Sequence, residues 1–288
     1  MNDRKINNLP PTPLGTAAEN RNAPLWRTFT IYITAIRMRP SLSLLNGMAL
    51  MDDEVTCPPF ESNPDIIASF VSDLTECERW KCADIFSLDV ESEQYLPGKA
   101  VAIFLLYPMQ TTAVMIIETQ VERNGRSDSP EDEILKQVVF IKQKVKNSCG
   151  PVAIMHALSN VIKDETLATK TSWMHNFLKN SRYFTPDERG RYLSKDRMFN
   201  QLCQVYGNSG DSEPVESDAN VPLHFVCYVE VDKRLYRLDG RKSGPEYLGP
   251  VAGDNFFATT MFHCKQFVDI LLAEENSVEF NAMALCVI

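Results

Sequence analysis

The sequence has 288 residues, 44% of them hydrophobic and 23% charged, and its formal net charge is −9. This length and balance are typical of one large or two small globular domains, and the acidic charge argues against a protein that binds nucleic acid. Even the apolar run that includes Val101–Tyr107 is too short to span a bilayer, so no membrane segment is predicted.

Cysteine usage narrows the class of protein further. The cysteines are scattered along a long chain, which is unlike a disulfide scaffold and predicts reduced thiols in a cytoplasmic protein. No two of them have CxxC spacing and the sequence contains only four histidines, so we do not expect a structural zinc site. The eight cysteines are Cys57, Cys77, Cys82, Cys149, Cys203, Cys227, Cys264 and Cys286.

The first 50 residues differ in composition from the rest. They carry six basic and two acidic residues, a net charge of +4, which leaves −13 for residues 51–288. A proline-rich stretch predicts a flexible extension here, which is either a transit peptide or a segment that does not fold. We place the folded domain at residues 51–288 and hypothesise that translation starts mainly at Met51. The acidic charge of the domain fits a basic partner, or solubility alone.

Local signals predict a chain with both helices and strands. Asn63 is a helix N-cap followed by a proline and an acid, and it begins a helix over 64–74. A second helix is predicted over 76–86, and strands are predicted over 101–107 and 137–143. The other predicted elements, in chain order, are a polar loop over 124–132, helices over 148–162 and 172–179, a helix after the Thr185 cap, an acidic mobile loop over 207–220, strands over 225–231 and 234–238, a helix over 261–273 and a strand over 280–287.

The candidate chemistry is concentrated between Phe140 and Asn160. Cys149 lies in the first turn of a predicted helix, where unpaired N–H groups and the helix dipole lower a thiol pKa and favour the nucleophilic thiolate. Gln143, six residues earlier, is a neutral amide that can donate to the oxyanion formed by attack on a carbonyl, and the Cys149 backbone N–H is a second candidate donor. Taken alone, each residue also fits an ordinary structural role.

A thiol nucleophile needs a base, and the sequence offers four histidines. His156 is two turns further along the same helix, roughly 10 Å away, and is out of reach of the thiol. His175 has no identifiable acidic partner, and His263 fits a packing position in a helix. His224, at the start of a predicted strand, is therefore the candidate base.

The hairpin that follows His224 predicts an acidic partner for it. A turn at Asp232 and Lys233 pairs the two strands so that Asp239 lies opposite Val226. Because side chains alternate along a strand, His224 and Asp239 then share one face, a diagonal step apart and within hydrogen-bond reach. The alternative interpretation is a surface ion pair.

With Gln143, Cys149, His224 and Asp239 identified, the sequence closely resembles the ubiquitin C-terminal hydrolase family of cysteine proteases, in its short single-domain form. The resemblance extends from about residue 51 to the end of the sequence. It implies an α+β fold with an antiparallel β-sheet flanked by helices, a papain-like cysteine protease core and a knotted backbone. The segments that carry it are 59–64, 140–150, 224–240 and 280–285.

The resemblance also implies an activity, the hydrolysis of bonds after the C-terminal glycine of ubiquitin or a ubiquitin-like protein, by a monomer without cofactor. The implied roles are Cys149 as nucleophile, His224 as general base and then acid, Asp239 as its orienting partner and Gln143 as oxyanion donor. Residues 207–220 fall where the family has a loop that crosses the active site. Such a loop restricts the leaving group to small adducts or unfolded peptides.

Two other functions remain open at this point. One is a ubiquitin-binding module with an inactive site, against which the presence of all four candidate residues argues. The other is a cysteine hydrolase or acyltransferase that acts on a different class of substrate with the same chemistry. Labelling by a ubiquitin-tailed electrophile separates the first from an enzyme, and binding of ubiquitin separates the second.

Overall fold

A computed structural model describes residues 57–109, 137–163, 166–211, 221–274 and 279–288. All of them belong to one compact unit, Ala49–Ile288. The predicted extension over 1–50, the polar loop over 124–132 and residues 212–220 of the acidic loop lie outside the described residues.

Six antiparallel strands form the sheet of the described part of the chain. They are β1 (Trp80–Asp84), β2 (Lys99–Pro108), β3 (Leu223–Val231), β4 (Arg234–Leu238), β5 (Glu246–Pro250) and β6 (Asn281–Val287). The strand order is β1-β6-β2-β3-β4-β5, and every neighbouring pair is antiparallel. The last strand in the sequence, β6, therefore lies inside the sheet, between β1 and β2.

Helices cover both faces of this sheet. They are α1 (Pro64–Thr75), α2 (Cys149–Val161), α3 (Trp173–Asn180), α4 (Pro186–Lys195), α5 (Arg197–Gly207) and α6 (Phe256–Glu274), with a 3₁₀ helix at Val90–Tyr95. Phe104 of β2 packs in a hydrophobic cluster with α1 to α5, whereas its neighbour Leu105 packs in a second cluster with α6. Because β2 is buried on both faces, its sequence is a continuous apolar run. The predicted α+β fold with an antiparallel sheet flanked by helices is confirmed.

Two helix starts follow the predicted capping. The Asn63 side chain accepts from the backbone N–H groups of Asp65 and Ile66, and Thr185 forms a capping box with Glu188 at the start of α4. Among the described residues, no helix is both long enough and apolar enough to cross a membrane.

Two predicted elements are wrong. The helix predicted over 76–86 is instead strand β1, because Glu76 takes a left-handed φ of 51° that ends α1 and the following residues pair with β6. The strand predicted over 137–143 is an extended segment outside the sheet. Its backbone groups bond to side chains of α2 and to the carbonyl oxygens of Pro186 and Gly240. Helix α5 and strand β5 were not predicted.

The β3–β4 hairpin has the predicted register. Val231 pairs with Arg234 and Cys227 pairs with Leu238. The two turn residues, Asp232 and Lys233, have φ values of 52° and 57°. Positive φ at both central positions is the geometry of the two-residue turns that match strand twist.

Candidate active site

Helix α2 carries Cys149 at its first residue and is buried from Gly150 to Asn160. The Ser148 side chain does not cap this helix, because its hydroxyl donates to the carbonyl oxygen of Val145 at 2.7 Å. Pro151 is tolerated in the first turn, where a backbone N–H would have no partner within the helix. The cysteine thus lies at the positive end of an apolar helix and remains partly exposed.

The Cys149 thiol and the His224 ring lie close enough for each to shift the pKa of the other. Burial raises the pKa of Cys149, but the hydrogen bond and the charge of His224 outweigh it and hold the pKa below its usual range. The backbone N–H groups of Phe225 and Gly150 also donate to the sulfur and lower the pKa further. These contacts favour the thiolate, which is the nucleophilic form.

Asp239 hydrogen-bonds His224 on the other side of the ring. Its Oδ1 lies 2.8 Å from the His224 Nε2, and both side chains are buried, at 2% exposure for His224 and 7% for Asp239. This confirms the pair that the hairpin register predicted and excludes the surface ion pair. Because Nε2 is occupied by the carboxylate, Nδ1 is the nitrogen left for the Cys149 thiol.

Cys149, His224 and Asp239 shift one another's pKa. Burial lowers the pKa of His224, but the Asp239 carboxylate and the Cys149 sulfur raise it to about 9. Burial raises the pKa of Asp239, yet the hydrogen bond and charge of His224, with the backbone N–H of Arg241, bring it below its usual range. These shifts all favour a thiolate beside a protonated imidazole that a carboxylate holds in place.

Two further residues contact the His224–Asp239 pair and were not predicted from the sequence, Tyr107 and Arg241. Tyr107, opposite His224 on β2, meets the ring edge to face with centroids 6.0 Å apart. That contact depends on the β2–β3 register, for which the sequence carries no local signal. By contrast, the Arg241 N–H that donates to Asp239 at 2.9 Å forms a turn typical of aspartate, which the sequence could have revealed.

Gln143 lies in the extended segment, beside Gly240, which is the residue that follows Asp239. Its backbone N–H donates to the carbonyl oxygen of Gly240 at 2.8 Å, and its side-chain Nε2 donates to Val145 at 3.0 Å. A methyl group placed on Gly240 would lie 3.1 Å from the Gln143 Cβ and 2.7 Å from Val152, which is in the first turn of α2. Gly240 thus lies between Gln143 and the first turn of the Cys149 helix, and the Gln143 side-chain nitrogen makes one hydrogen bond within the described part of the chain.

The remaining histidines lie outside this cluster, as the sequence analysis expected. His156 is fully buried within α2 and bonds to the backbone of Ile141. His263 lies on α6, where burial is the main cause that lowers its pKa. His175 lies at the start of α3 and donates its backbone N–H to the Ser172 side chain.

Comparison with known proteins agrees with this arrangement. The profile of "Ubiquitin carboxyl-terminal hydrolase, family 1" matches residues 58–269. A Drosophila melanogaster ubiquitin carboxyl-terminal hydrolase is 27% identical over 231 residues, 80% of this chain and 97% of its own length. Ubiquitin carboxyl-terminal hydrolase 3 of Arabidopsis thaliana is 32% identical over 228 residues, 79% of this chain and 92% of its own.

A solved structure shares the fold. The catalytic domain of Trichinella spiralis UCH37, bound to ubiquitin vinyl methyl ester, superposes with a TM-score of 0.62 and 22% identity. The superposition covers 82% of this chain and 97% of that one. Since the family profile matches well over half of the sequence, the chain belongs to the ubiquitin carboxyl-terminal hydrolase family and is a cysteine-type deubiquitinase.

Proposed function

We propose that the protein hydrolyses bonds to the C-terminal glycine of ubiquitin, with Cys149 as nucleophile, His224 as base and acid, Asp239 as its partner and Gln143 as oxyanion donor. The observation that carries this proposal is that His224 hydrogen-bonds the buried Asp239 carboxylate and, through its interaction with the Cys149 thiol, lowers the pKa of that thiol. One imidazole therefore connects an activated thiol to a buried acid, which is the arrangement that nucleophilic catalysis requires.

The first half of the reaction forms a thioester. The Cys149 thiolate attacks the carbonyl carbon of the ubiquitin glycine, and the carbonyl oxygen becomes an oxyanion. The Gln143 amide and the Cys149 backbone N–H donate to that oxygen. When the intermediate collapses, the bond to the leaving nitrogen breaks, and His224 gives its proton to that nitrogen. The raised pKa of His224, about 9, keeps this proton available at neutral pH.

The second half releases ubiquitin. His224, now neutral, takes a proton from a water molecule as the water attacks the thioester carbon. The carbon–sulfur bond then breaks, which restores the thiolate beside the protonated ring and leaves a carboxylic acid on the glycine, whose proton goes to the solvent. Asp239 keeps the ring in one orientation through both halves, since its hydrogen bond to Nε2 is independent of the substrate.

Ubiquitin, or a ubiquitin-like protein, is the proposed partner, because the solved UCH37 structures that share the fold are bound to ubiquitin vinyl methyl ester. We place the catalytic domain at residues 51–288 and propose that it acts as a monomer in the cytoplasm. The acidic segment over 207–220 would limit the leaving group to small adducts or peptides, and its charge would attract the basic tail of ubiquitin.

The test is turnover of a fluorogenic amide at the ubiquitin C-terminus. We expect turnover by the unaltered protein, none by Cys149→Ala, and unchanged turnover by Cys77→Ala, since Cys77 is another partly exposed free thiol. Undiminished activity of Cys149→Ala would refute the assignment. A ubiquitin-tailed electrophile should label Cys149. Binding of ubiquitin without labelling or turnover would instead favour a binding module, and the absence of both binding and turnover would favour another substrate class.

A further inference from the structure

Two side chains of α2 bind the backbone of the segment that leads to Gln143. The His156 Nε2 lies 3.0 Å from the backbone nitrogen of Ile141 and 3.1 Å from its carbonyl oxygen. The Asn160 Oδ1 accepts from the Val139 N–H at 2.8 Å, and the Asn160 Nδ2 donates to the Val139 carbonyl oxygen at 2.8 Å. These two side chains therefore take the place that a neighbouring strand would have in a sheet.

The two side chains act as one unit on the helix. They are four residues apart, so they project from the same side of α2. The Asn160 Nδ2 also donates to the carbonyl oxygen of His156 at 2.8 Å, which ties the second side chain to the turn that carries the first. Cys149, seven residues before His156, begins the same helix. The helix that carries the proposed nucleophile thus also carries the attachment of the neighbouring segment.

Both side chains are polar in an apolar environment. His156 is 0% exposed and Asn160 is 1% exposed. The Phe140 ring stacks on the His156 ring at a centroid distance of 5.0 Å, and burial is the main cause that lowers the pKa of His156 to about 4. Within the part of the chain that the structure describes, the His156 Nδ1 has no hydrogen-bond partner. Burying such groups costs free energy, which an apolar residue of similar size would avoid, so packing alone does not account for them.

We propose that His156 and Asn160 are positioning residues for the Gln143 amide. They fix Val139 and Ile141 to the helix of Cys149, so that a single rigid element determines where the amide donor lies relative to the sulfur. This inference rests on the proposed function, since it requires Gln143 to donate to the oxyanion.

The segment has further anchors beyond Ile141. The Lys142 N–H donates to the carbonyl oxygen of Pro186 at 3.0 Å, and the Gln143 N–H donates to Gly240 at 2.8 Å. With the α2 contacts removed, these later anchors keep the segment attached but no longer fix its distance from the Cys149 helix. A displacement of about 1 Å at a catalytic group can cost on the order of 10²-fold in rate. The loss should therefore appear in kcat and depend on the Gln143 side chain.

The test is a double-mutant cycle on turnover of the ubiquitin C-terminal amide. His156→Leu and Asn160→Ser remove the contacts to the segment, while His156→Gln keeps an amide in reach of Ile141 and should restore most of the activity. Ser159→Ala is the matched control, because Ser159 is 4% exposed on the same helix and its hydroxyl has no partner among the described residues. We expect the first two variants to lower kcat by about tenfold or more with KM within about twofold of the unaltered protein.

In the Gln143→Ala background the same substitutions should lower kcat by less than about twofold, because the amide that they position is already absent. The pH profile of Cys149 alkylation by iodoacetamide should not change in any of them, since they leave His224 and Asp239 untouched. Equal losses in both backgrounds, or a shifted alkylation profile, would overturn the inference and indicate a general structural role. If His156→Leu does not fold, Asn160→Ser carries the same cycle. Lack of turnover by the unaltered protein would instead overturn the proposed function, and the inference with it.

Discussion

The backbone N–H of Gln143 donates to the carbonyl oxygen of Gly240 at 2.8 Å, one residue after Asp239. A single peptide hydrogen bond thus joins the segment of the proposed oxyanion donor to the strand end that carries the acid. Gly240 is closely surrounded, since an added Cβ would lie 2.7 Å from Val152 and 3.1 Å from the Gln143 Cβ. A side chain at this position must therefore displace the Val152 side chain, and Gln143 must shift by a few tenths of an ångström.

We therefore expect Gly240→Ala to lower kcat/KM by about tenfold or more and to destabilise the fold by about 1–3 kcal/mol through overpacking. Gly244→Ala is the matched control, because an added Cβ there meets nothing within 4 Å. The measurements are turnover of the ubiquitin amide and the midpoint of thermal unfolding. Equal behaviour of the two variants would show that the close approach at Gly240 has no functional consequence.

Replacement of Gln143 tests the oxyanion donor itself. Loss of one donor should lower kcat of Gln143→Ala by about 10²- to 10³-fold, while Cys149 alkylation stays unchanged because His224 controls the thiol pKa. Gln137→Ala, in the exposed first part of the same segment, is the control and should retain full activity. An unchanged kcat in Gln143→Ala would remove the amide from the mechanism.

Removal of the acid should change the pH dependence of the thiol. Asp239 contributes most to raising the pKa of His224 to about 9, so we expect Asp239→Asn to lower that pKa and thereby to raise the pKa of Cys149. We expect the rate of Cys149 alkylation, measured between about pH 5 and 9, to rise at a higher pH in this variant than in the unaltered protein. Cys149→Ala serves as the blank for alkylation of other thiols. Asp254→Asn, at an 87% exposed side chain, should leave the profile in place.

The raised pKa of His224 should also make the thermal stability of the protein depend on pH. The folded-state pKa of His224, about 9, lies above the usual histidine pKa of 6.5. The stabilisation of the folded state by protonated His224 is therefore fully present below about pH 6.5 and is lost as the pH rises through about 9. The difference in thermal stability between the unaltered protein and Asp239→Asn should accordingly shrink over that range. A difference that grows with pH would contradict the assigned protonation of His224.

The hairpin turn offers a test on stability alone. Lys233 has a φ of 57°, a left-handed conformation that costs a residue with a Cβ roughly 1–2 kcal/mol. We expect Lys233→Gly to raise the unfolding midpoint by about 2–4 °C, whereas Lys233→Ala keeps the strain and loses the exposed ion pair with Glu230. A lower midpoint for Lys233→Gly than for Lys233→Ala would show that the turn is not strained.

The parts of the site that the sequence predicted depend on contacts between neighbours in the chain. A two-residue turn determines the β3–β4 register, and the register alone brings Asp239 to His224. The caps at Asn63 and Thr185 are likewise local, since each bonds backbone groups within three residues. Such interactions are visible in a single sequence because the partner is a few positions away.

The parts that could not be predicted depend on distant partners. The segment before Gln143 has the composition of a strand, yet its hydrogen bonds go to His156, Asn160, Pro186 and Gly240, up to about a hundred positions along the chain. Strand β1 pairs with β6 from the other end of the sequence, which no local pattern around Trp80 reveals. In both cases tertiary contacts override the local preference.

The position of β6 has a consequence for biosynthesis. Asn281–Val287 lies between β1 and β2, and β2 in turn pairs with the strand that carries His224. A ribosome must therefore have synthesised Val287 before the sheet can close, although Cys149 and His224 emerge much earlier. A nascent chain that already includes His224 and Asp239 would therefore hold all four proposed catalytic residues and still lack the strand that lies between β1 and β2.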